Sequence, residues 1–428
     1  MIVTIIAFVI VFGVLVFVHE FGHFYAAKKS GILVREFSIG MGPKLFAYHK
    51  NGTTYTWRLL PLGGYVRMAG LEDDEESLKK GSPVTLLLDK QDQVTKINTS
   101  QKKMLKGGLP LVVTDWNLQK EMWIEGYENG DESQVKRFNV KRDAMITEED
   151  GTEIQVAPLD VQYQSVSVPK RIVTNFAGPF NNFVLAIIAF GLVAMLQGGV
   201  QIPTNSNVIG TVQKDSIAAK AGLKAGNQIV AIDGHQVSNW QDLVSGLGDR
   251  GGKKTTLKVK QAKQTQTKEI QLTPKTVKQN GQKTGQIGIT EKIKNDHSIG
   301  AILAFGFTQT WNIIMLVFSA IGHMITHGFS LNDLGGPVAM YSMTAQAAHH
   351  GAITVINLMG LLSVNLGIMN LLPIPALDGG KILLNIIEGI RKKPMDPNKE
   401  VVITMIGFAF LMILMVLVTW NDIRRYFF

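Results

Sequence analysis

The chain has 428 residues, of which 46% are hydrophobic, and its mean hydropathy is +0.13. The hydrophobic share is too low for a protein made only of membrane spans, so soluble segments must share the chain with apolar ones. The net charge of +9 suits anionic lipid headgroups, and no nucleic-acid motif accompanies it. The chain has no cysteine, which excludes disulfides and thiolate metal sites, so a metal would need His, Asp or Glu ligands.

Four apolar stretches are long enough to cross a bilayer, which takes about 20 residues. They cover residues 1–27, 172–196, 352–376 and 401–420. The first is interpreted as a retained span rather than a signal peptide, because no charged segment precedes it and no small-residue cleavage site follows it. Basic residues flank the spans unevenly. The positive-inside rule therefore predicts that the N-terminus and residues 197–351 lie outside, and that residues 28–170 and 377–400 lie in the cytosol.

The segment 28–70, which follows the first span, is rich in Tyr, Trp, Leu and Val and predicts a β-sheet. Two extended runs flank Asn51 and Gly52, a pair that is favoured in type I′ hairpin turns. The sheet is either membrane-associated or an ordinary cytosolic hairpin. A membrane-associated sheet would need protein or water to cover its backbone, because lipid does not tolerate exposed non-helical backbone. The polar segment 71–169 opens with the acidic run EDDEES and is expected to be a cytosolic insert of undefined fold.

Residues 205–292 alternate short Val/Ile runs with glycine turns and predict a small extracytoplasmic α+β domain. The run SIAAKAGLKAGNQIVAIDGHQV resembles a PDZ domain of the bacterial protease type, although Asn227 stands where that family usually has Asp. Such domains often take up peptide ends by strand addition. A passive spacer or size filter is the alternative role.

The first span ends with the motif HEFGH. Residues i and i+4 of a helix share a face, so His19 and His23 can reach one metal ion while Glu20 projects beside them. HExxH on a helix is typical of zinc hydrolases, in which the glutamate accepts a proton from water at the metal. Ionisable groups are costly in a span and are usually functional there. The alternative is that they only mark the solvated end of the helix.

A hydrolytic zinc site needs a third protein ligand, for which Asp378 is the candidate. It follows Pro373 and Pro375 in NLLPIPALDGGK, where the prolines must break the third span. Asp378 could instead cap the next helix. The order of the spans, inward, outward and inward again, brings Asp378 to the same membrane face as His19, so we predict that it is the third ligand.

The segment 301–330 is apolar but contains Thr, Gln, Asn and His. If it crossed the membrane, Asp378 would emerge on the opposite side from His19. We therefore predict that it is an interfacial amphipathic helix. His323 and His327 repeat the i, i+4 spacing without a glutamate, and we interpret them as interfacial histidines.

Taken together, HEFGH, GPFNNF in the second span, the PDZ-like segment and NLLPIPALDGG resemble the site-2 protease family, most closely its bacterial regulated intramembrane metalloproteases. The resemblance covers the four spans and the outer domain but little of the cytosolic insert. The expected fold is a polytopic α-helical membrane protein of the bacterial cytoplasmic membrane. It would have four transmembrane helices, a membrane-associated β-sheet and an extracytoplasmic PDZ-like α+β domain.

The resemblance also implies roles for individual residues. His19, His23 and Asp378 would bind Zn²⁺ near the cytosolic face, with Glu20 as general base. The expected substrate-binding residues are Asn370, Pro375, Asn182 and Tyr65. Gly178 and Pro179 would belong to the element that packs beside the site. Substrates would be transmembrane segments of single-pass proteins, such as anti-sigma factors, or signal-peptide remnants within the lipid bilayer.

Two other functions are compatible with parts of the sequence. A membrane zinc transporter would also place His and Asp in spans, but it predicts ligands near the midplane and a polar path through the chain. An inactive membrane scaffold with a PDZ domain would tolerate the loss of Glu20.

Overall fold

The computed structural model describes residues 2–71, 78–100, 105, 107–261, 266–279, 282–328 and 330–427, with only the backbone at 61, 62, 279, 282, 397, 426 and 427. The EDDEES run lies outside the described residues. Contacts divide the chain into two compact units, Met1–Val193 with Gly306–Phe428, and Ala194–Phe305.

Nine α-helices occur in the described ranges, and the long ones coincide with the apolar stretches of the sequence. They are α1 (Ile2–Ser30), α2 (Val168–Leu196), α3 (Ile217–Lys220), α4 (Trp240–Gly248), α5 (Ile299–His327), α6 (Pro337–His349), α7 (Ala352–Leu371), α8 (Asp378–Arg391) and α9 (Pro397–Phe427).

The strands are grouped before, within and after the polar insert. They are β1 (Val34–Lys50), β2 (Thr53–Met68), β3 (Pro83–Leu88), β4 (Val94–Asn98), β5 (Leu109–Asn117), β6 (Trp123–Glu128), β7 (Val135–Thr147), β8 (Glu153–Gln155), β9 (Val200–Pro203), β10 (Ile209–Val212), β11 (Gln228–Ile232), β12 (His235–Gln236), β13 (Thr255–Lys260), β14 (Thr267–Leu272), β15 (Lys275–Gln279), β16 (Gln282–Gln286), β17 (Ile289–Glu291) and β18 (Ile293–Asp296).

Five helices in the described part of the chain are long and apolar enough to cross a membrane, judged by length and composition: α1, α2, α5, α7 and α9. The sequence predicts four spans and an interfacial segment at 301–330. The additional helix is α5, which occupies that segment. Length and composition place it beside the other four, and only its contacts can distinguish a span from an interfacial helix.

The first sheet is the predicted hairpin, and β1 is paired on both of its sides. Residues 36–39 pair with 64–67 along one edge and with 54–57 along the other. Asn51 and Gly52 have φ values of +51° and +76°, as a type I′ turn requires. Several large apolar side chains of the sheet are exposed, namely Leu45, Phe46, Tyr48, Trp57, Leu59 and Leu60. Exposed apolar surface of this kind is typical of an interaction site.

The polar insert folds as a small barrel, which the sequence left undefined. Its strands follow the order β4-β3-β5-β6-β7-β8, and a parallel pairing of β4 with β7 closes five of them. Leu86, Ile97, Leu111, Ile124 and Ile154 are completely buried in its core. The chain leaves the barrel beside the point at which it entered, because the backbone N–H of Tyr163 donates to the carbonyl of Ala69 (2.8 Å).

The helices of the first unit pack around α1. Val11 and Leu15 of α1 share a buried cluster with Leu185 of α2, Ala347 of α6, and Leu358 and Leu362 of α7. α1 and α2 cross closely at Gly22, where an added Cβ would lie 2.2 Å from the carbonyl oxygen of Ala177. This crossing brings the HEFGH motif against α2.

The second unit has its own core and an α+β composition. A four-stranded sheet in the order β12-β11-β13-β14 packs with α3 and α4, and shorter pairs link β10 with β17 and β9 with β18. Asn227, the departure from the PDZ-like pattern, is buried and accepts a hydrogen bond from the backbone N–H of Lys224 (2.9 Å). Its amide oxygen can therefore serve the turn as the expected Asp carboxylate would.

Candidate metal centre

Three side-chain atoms converge where α1 meets the start of α8. The Nε2 atoms of His19 and His23 are 3.2 Å apart, and each lies 3.2 Å from Oδ2 of Asp378. Ligands of a tetrahedral zinc ion, with metal–nitrogen distances of about 2.0–2.1 Å, are separated by about 3.3–3.4 Å. The Asp378 oxygen is also buried without a hydrogen-bond partner. The His₂Asp set therefore fits a zinc ion.

The outer nitrogen of His23 is anchored on α2. Its Nδ1 lies 2.8 Å from the carbonyl oxygen of Thr174. Since a carbonyl only accepts, Nδ1 must carry the proton, which leaves the lone pair of Nε2 directed at the centre. This is the usual support for a metal-binding imidazole. A backbone carbonyl has no signature in the sequence, so Thr174 was missed there.

The outer nitrogen of His19 faces the side-chain amide of Asn182, also on α2. The Asn182 Nδ2 lies 3.0 Å from Nδ1 of His19, while the Asn182 Oδ1 is buried without a partner. The O and N of an amide are distinguished by their hydrogen bonds. Rotating the amide by 180° lets Oδ1 accept from Nδ1–H of His19 and satisfies both groups. Asn182 is completely buried, so its position favours orienting His19 over the expected contact with substrate.

A glycine makes room for the second imidazole. A Cβ added at Gly178 would lie 2.2 Å from Nε2 of His23. The GPFNNF element thus supports the centre in two ways: Gly178 leaves space for His23, and Asn182 places its amide against His19. The sequence marked Gly178 as part of a neighbouring element, but it did not predict this direct contact.

Asp378 is the first residue of α8 rather than its cap. The cap position is Leu377, which makes no side-chain capping bond, and the Asp378 carboxylate points to the imidazoles instead. Ala376 has a φ of +82°, a conformation that strains a residue with a Cβ. Added Cβ atoms at Gly379 and Gly380 would lie 2.3 Å from carbonyl oxygens of the preceding segment. The two glycines of the LDGG motif therefore let the start of α8 pack unusually closely against the backbone that precedes it.

α9 closes the other side of this loop. A Cβ at Gly407 would lie 2.0 Å from the carbonyl oxygen of Pro375. This contact fixes the half-buried Pro375, which the sequence assigned to the substrate site. Gly407 was not singled out, because a lone glycine in an apolar helix has many structural explanations.

Glu20 lies between the histidines and the first sheet. It is half-buried. Its Cγ lies 3.5 Å from the position that a Cβ of Gly64 would take. In the described part of the chain, residues 64–66 pair only with 37–39, so their second edge is open beside Glu20.

The other predicted substrate residues lie on elements around this centre. Asn370 is in the last turn of α7 and is half-buried. Tyr65 lies on β2, and its hydroxyl accepts a hydrogen bond from Arg58 (2.8 Å).

Known proteins resemble this chain in sequence. A sequence model described as peptidase family M50 matches residues 7–414. The chain is 50% identical to a protein of Enterococcus faecalis named "Probable protease eep", over 99% of this chain and 100% of the relative. It is 44% identical to a "Putative zinc metalloprotease" of Streptococcus pneumoniae, over 99% of each. A crystal structure of the PDZ domain of an SdrC-like protein from Listeria monocytogenes covers 22% of this chain and 93% of that one, with 22% identity and a TM-score of 0.18.

Proposed function

This chain belongs to peptidase family M50, the site-2 protease family of zinc-dependent membrane metalloproteases, and we propose that it is an intramembrane endopeptidase. Its substrates would be peptide bonds within the transmembrane segments of other membrane proteins. One observation carries the proposal: His19 and His23, inside an apolar helix, meet Asp378 in a triangle of zinc-ligand dimensions.

The protein's part in the reaction follows from these positions. His19, His23 and Asp378 would hold the zinc, which when bound polarises the scissile carbonyl and makes water more acidic. Glu20 would accept a proton from the attacking water and deliver it to the leaving amide nitrogen. The α2 groups behind the histidines keep both Nε2 atoms unprotonated for this purpose.

The open edge at 64–66 offers a place for the substrate backbone. A helix keeps its peptide bonds within its own hydrogen-bond ladder, so it must unwind locally before water can attack. Pairing with a strand edge would offset the hydrogen bonds that are lost. Glu20 lies beside Gly64 on this edge, which would bring an added peptide strand to the general base. Tyr65, Asn370 and Pro375 are the proposed neighbours of that strand.

We propose single-pass membrane proteins, such as anti-sigma factors, or signal-peptide remnants as the natural substrates, in regulated intramembrane proteolysis. Such segments are single apolar helices that can leave the lipid laterally. A centre built from α1, α2 and α8 suits them better than a folded soluble substrate.

The contacts of α9 support a four-span arrangement. Gly407, near its start, meets the loop before Asp378. Asp422, near its end, accepts hydrogen bonds from the backbone N–H groups of Gly336 (3.0 Å) and Ala339 (2.9 Å). About 22 Å of helix separates these contacts. The start of α6 is therefore at the end of the bundle opposite the metal centre.

α5 ends close to that same end of the bundle. It packs on α2 at Gly306, and three residues separate it from Leu331. The next residue, Asn332, accepts a hydrogen bond from Asn421 of α9 (2.9 Å). The five steps from His327 to Asn332 extend at most about 18 Å, whereas the hydrocarbon core is about 30 Å thick. If α5 crossed the membrane, the short connection after it could not reach back across the hydrocarbon core to the contact of Asn332 with α9. We therefore keep α1, α2, α7 and α9 as the spans.

The proposed sidedness has the N-terminus outside and the metal centre near the cytosolic face of the bacterial cytoplasmic membrane. The chain has no cysteine, so single substitutions report on it directly. An impermeant maleimide applied to intact cells should label exposed D333C and leave K393C unlabelled until the cells are opened. The opposite pattern would contradict the topology.

Cleavage by a Glu20→Gln variant tests the proposed activity. The variant should keep its zinc, because the ligands are intact, while cleavage of a transmembrane test peptide in detergent or vesicles falls by about 10²–10⁴. Glu132→Gln, an exposed change in the barrel, is the control and should behave as wild type. Undiminished cleavage by Glu20→Gln would rule out the general-base role.

A further inference from the structure

We infer that a buried polar network built by Tyr163 and Arg171 positions Asp378 for zinc binding by holding α8 against α2. The inference rests on the proposed role of Asp378 as a zinc ligand. The reaction as described above uses none of the network residues, and their burial requires an explanation, since unpaired polar groups in such a place are costly.

The first part of the network is an ion pair between α2 and α8. Arg171 donates from Nη1 and Nη2 to the two carboxylate oxygens of Glu388 at 2.9 and 2.8 Å. Only 6% of Arg171 is exposed. A bidentate pair of this kind fixes both the distance and the relative rotation of the elements that carry it.

The second part centres on the hydroxyl of Tyr163, just before α2. It accepts hydrogen bonds from the amides of Asn175 (2.7 Å) and Asn385 (2.8 Å). All three residues are at least 95% buried. The guanidinium of Arg171 lies 5.8 Å from the centre of the Tyr163 ring, which joins the two parts of the network.

The spacing along α8 connects the network to the metal centre. Asn385 is seven residues from Asp378, so both lie on one face of the helix. Glu388 follows about 15 Å from Asp378 along the axis, and a tilt of only 5° about Glu388 would move Asp378 by about 1.3 Å. That is several times the ~0.2 Å within which metal–ligand distances must be kept.

Contacts at the near end of α8 do not by themselves prevent such a tilt. The close packing at Gly379 and Gly380 resists movement towards α7 but not withdrawal from it, and the contact of α9 at Gly407 holds the preceding loop at Pro375 rather than α8 itself. The preceding loop already holds a strained conformation at Ala376. Attractive contacts that oppose withdrawal come from Arg171 and Tyr163.

One face of α2 serves all three ligands. Arg171, Thr174, Gly178 and Asn182 recur at intervals of three or four residues, which places them on one side of the helix. Thr174 and Asn182 orient the histidines, Gly178 makes room for His23, and Arg171 holds the helix of Asp378. The network thus holds the helix of Asp378 against α2, the same helix that orients His19 and His23.

The test measures zinc affinity of the purified full-length protein, by competition with a chelator, together with the visible spectrum of its cobalt-substituted form. Arg171→Gln and Glu388→Gln should each raise the zinc Kd by about 10-fold, alter the cobalt spectrum and lower kcat with little change in KM. Arg137→Gln removes a comparable but exposed pair with Glu125 and should change none of these values.

Tyr163→Phe serves if the charge variants fail to fold, because it removes one hydroxyl and keeps the ring. It should also weaken zinc binding and shift the cobalt spectrum. Wild-type zinc affinity and spectrum in the folded variants would overturn the inference. Asp378→Asn separates the two levels: if it leaves zinc binding unchanged, the proposed ligand set is wrong, and if it weakens binding while the network variants do not, only the positioning role is wrong.

Discussion

Two histidine pairs in this molecule have the same spacing but different surroundings. His19 and His23 on α1 are buried, their Nε2 atoms converge on Asp378, and both outer nitrogens face partners on α2. His323 and His327 on α5 are exposed and stack face to face, with ring centres 4.2 Å apart. Among the described residues, no His, Cys, Asp or Glu completes a metal-binding group with this second pair.

Spacing places the two imidazoles of each pair, whereas packing fixes their tautomers and their rotation. An i, i+4 pair puts two imidazoles on one face of a helix, but it does not fix their tautomers or their rotation. For the pair on α1, those constraints come from α2. They are the carbonyl of Thr174, the amide of Asn182 and the space left by Gly178. The pair on α5 is exposed, and its two rings stack on each other instead.

The largest expected change comes from filling the space beside His23. Gly178→Ala would place a methyl group 2.2 Å from the position of Nε2 and displace the ring from the centre. We expect zinc content to fall at least 10-fold and cleavage to become undetectable. Metal analysis of purified protein measures the first effect.

The matched control is Gly322→Ala, beside His323, where an added Cβ meets nothing within 4 Å. Alanine also favours a helix over glycine by about 1 kcal/mol, so this variant should fold and cleave normally. Full zinc occupancy in Gly178→Ala protein would show that the two histidine pairs are less different than their packing indicates.

A smaller change should follow from altering the amide behind His19. Asn182→Leu removes the acceptor for Nδ1–H, and we expect about 10-fold weaker zinc binding. Asn182→Asp keeps an acceptor, so it should retain zinc affinity near that of wild type. Chelator competition measures both. If Asn182→Asp instead loses as much affinity as Asn182→Leu, the amide donates to His19 and the proposed tautomer is wrong.

The sequence predicted the parts of the site that local pattern encodes. HEFGH specifies a helix register, Asn51-Gly52 specifies a turn, and the apolar stretches specify the ends of the long helices to within seven residues. The order of the spans predicted Asp378 as the third ligand, because it brings that residue to the same membrane face as His19. Each of these features depends on side-chain type and spacing, which a sequence displays directly.

The features that the sequence missed depend on contacts between distant segments. The carbonyl of Thr174 carries no side-chain signal, and Gly407 looks like any glycine in an apolar helix. The closure of the barrel depends on β4 meeting β7, a non-local pairing that alternation of residues does not encode. The complete burial of Asn182, which favours orienting His19 over contacting substrate, becomes apparent only after packing.

The hydrogen bond between Tyr163 and Ala69 joins the entry and exit of the whole barrel at one point. A module whose two chain ends lie side by side can be lengthened, shortened or exchanged without pulling on the scaffold that hosts it. A reporter domain could therefore be grafted in place of the barrel, provided that the graft returns the chain to Tyr163 and that the first sheet tolerates the loss of contacts such as the ion pair between Arg67 and Glu148.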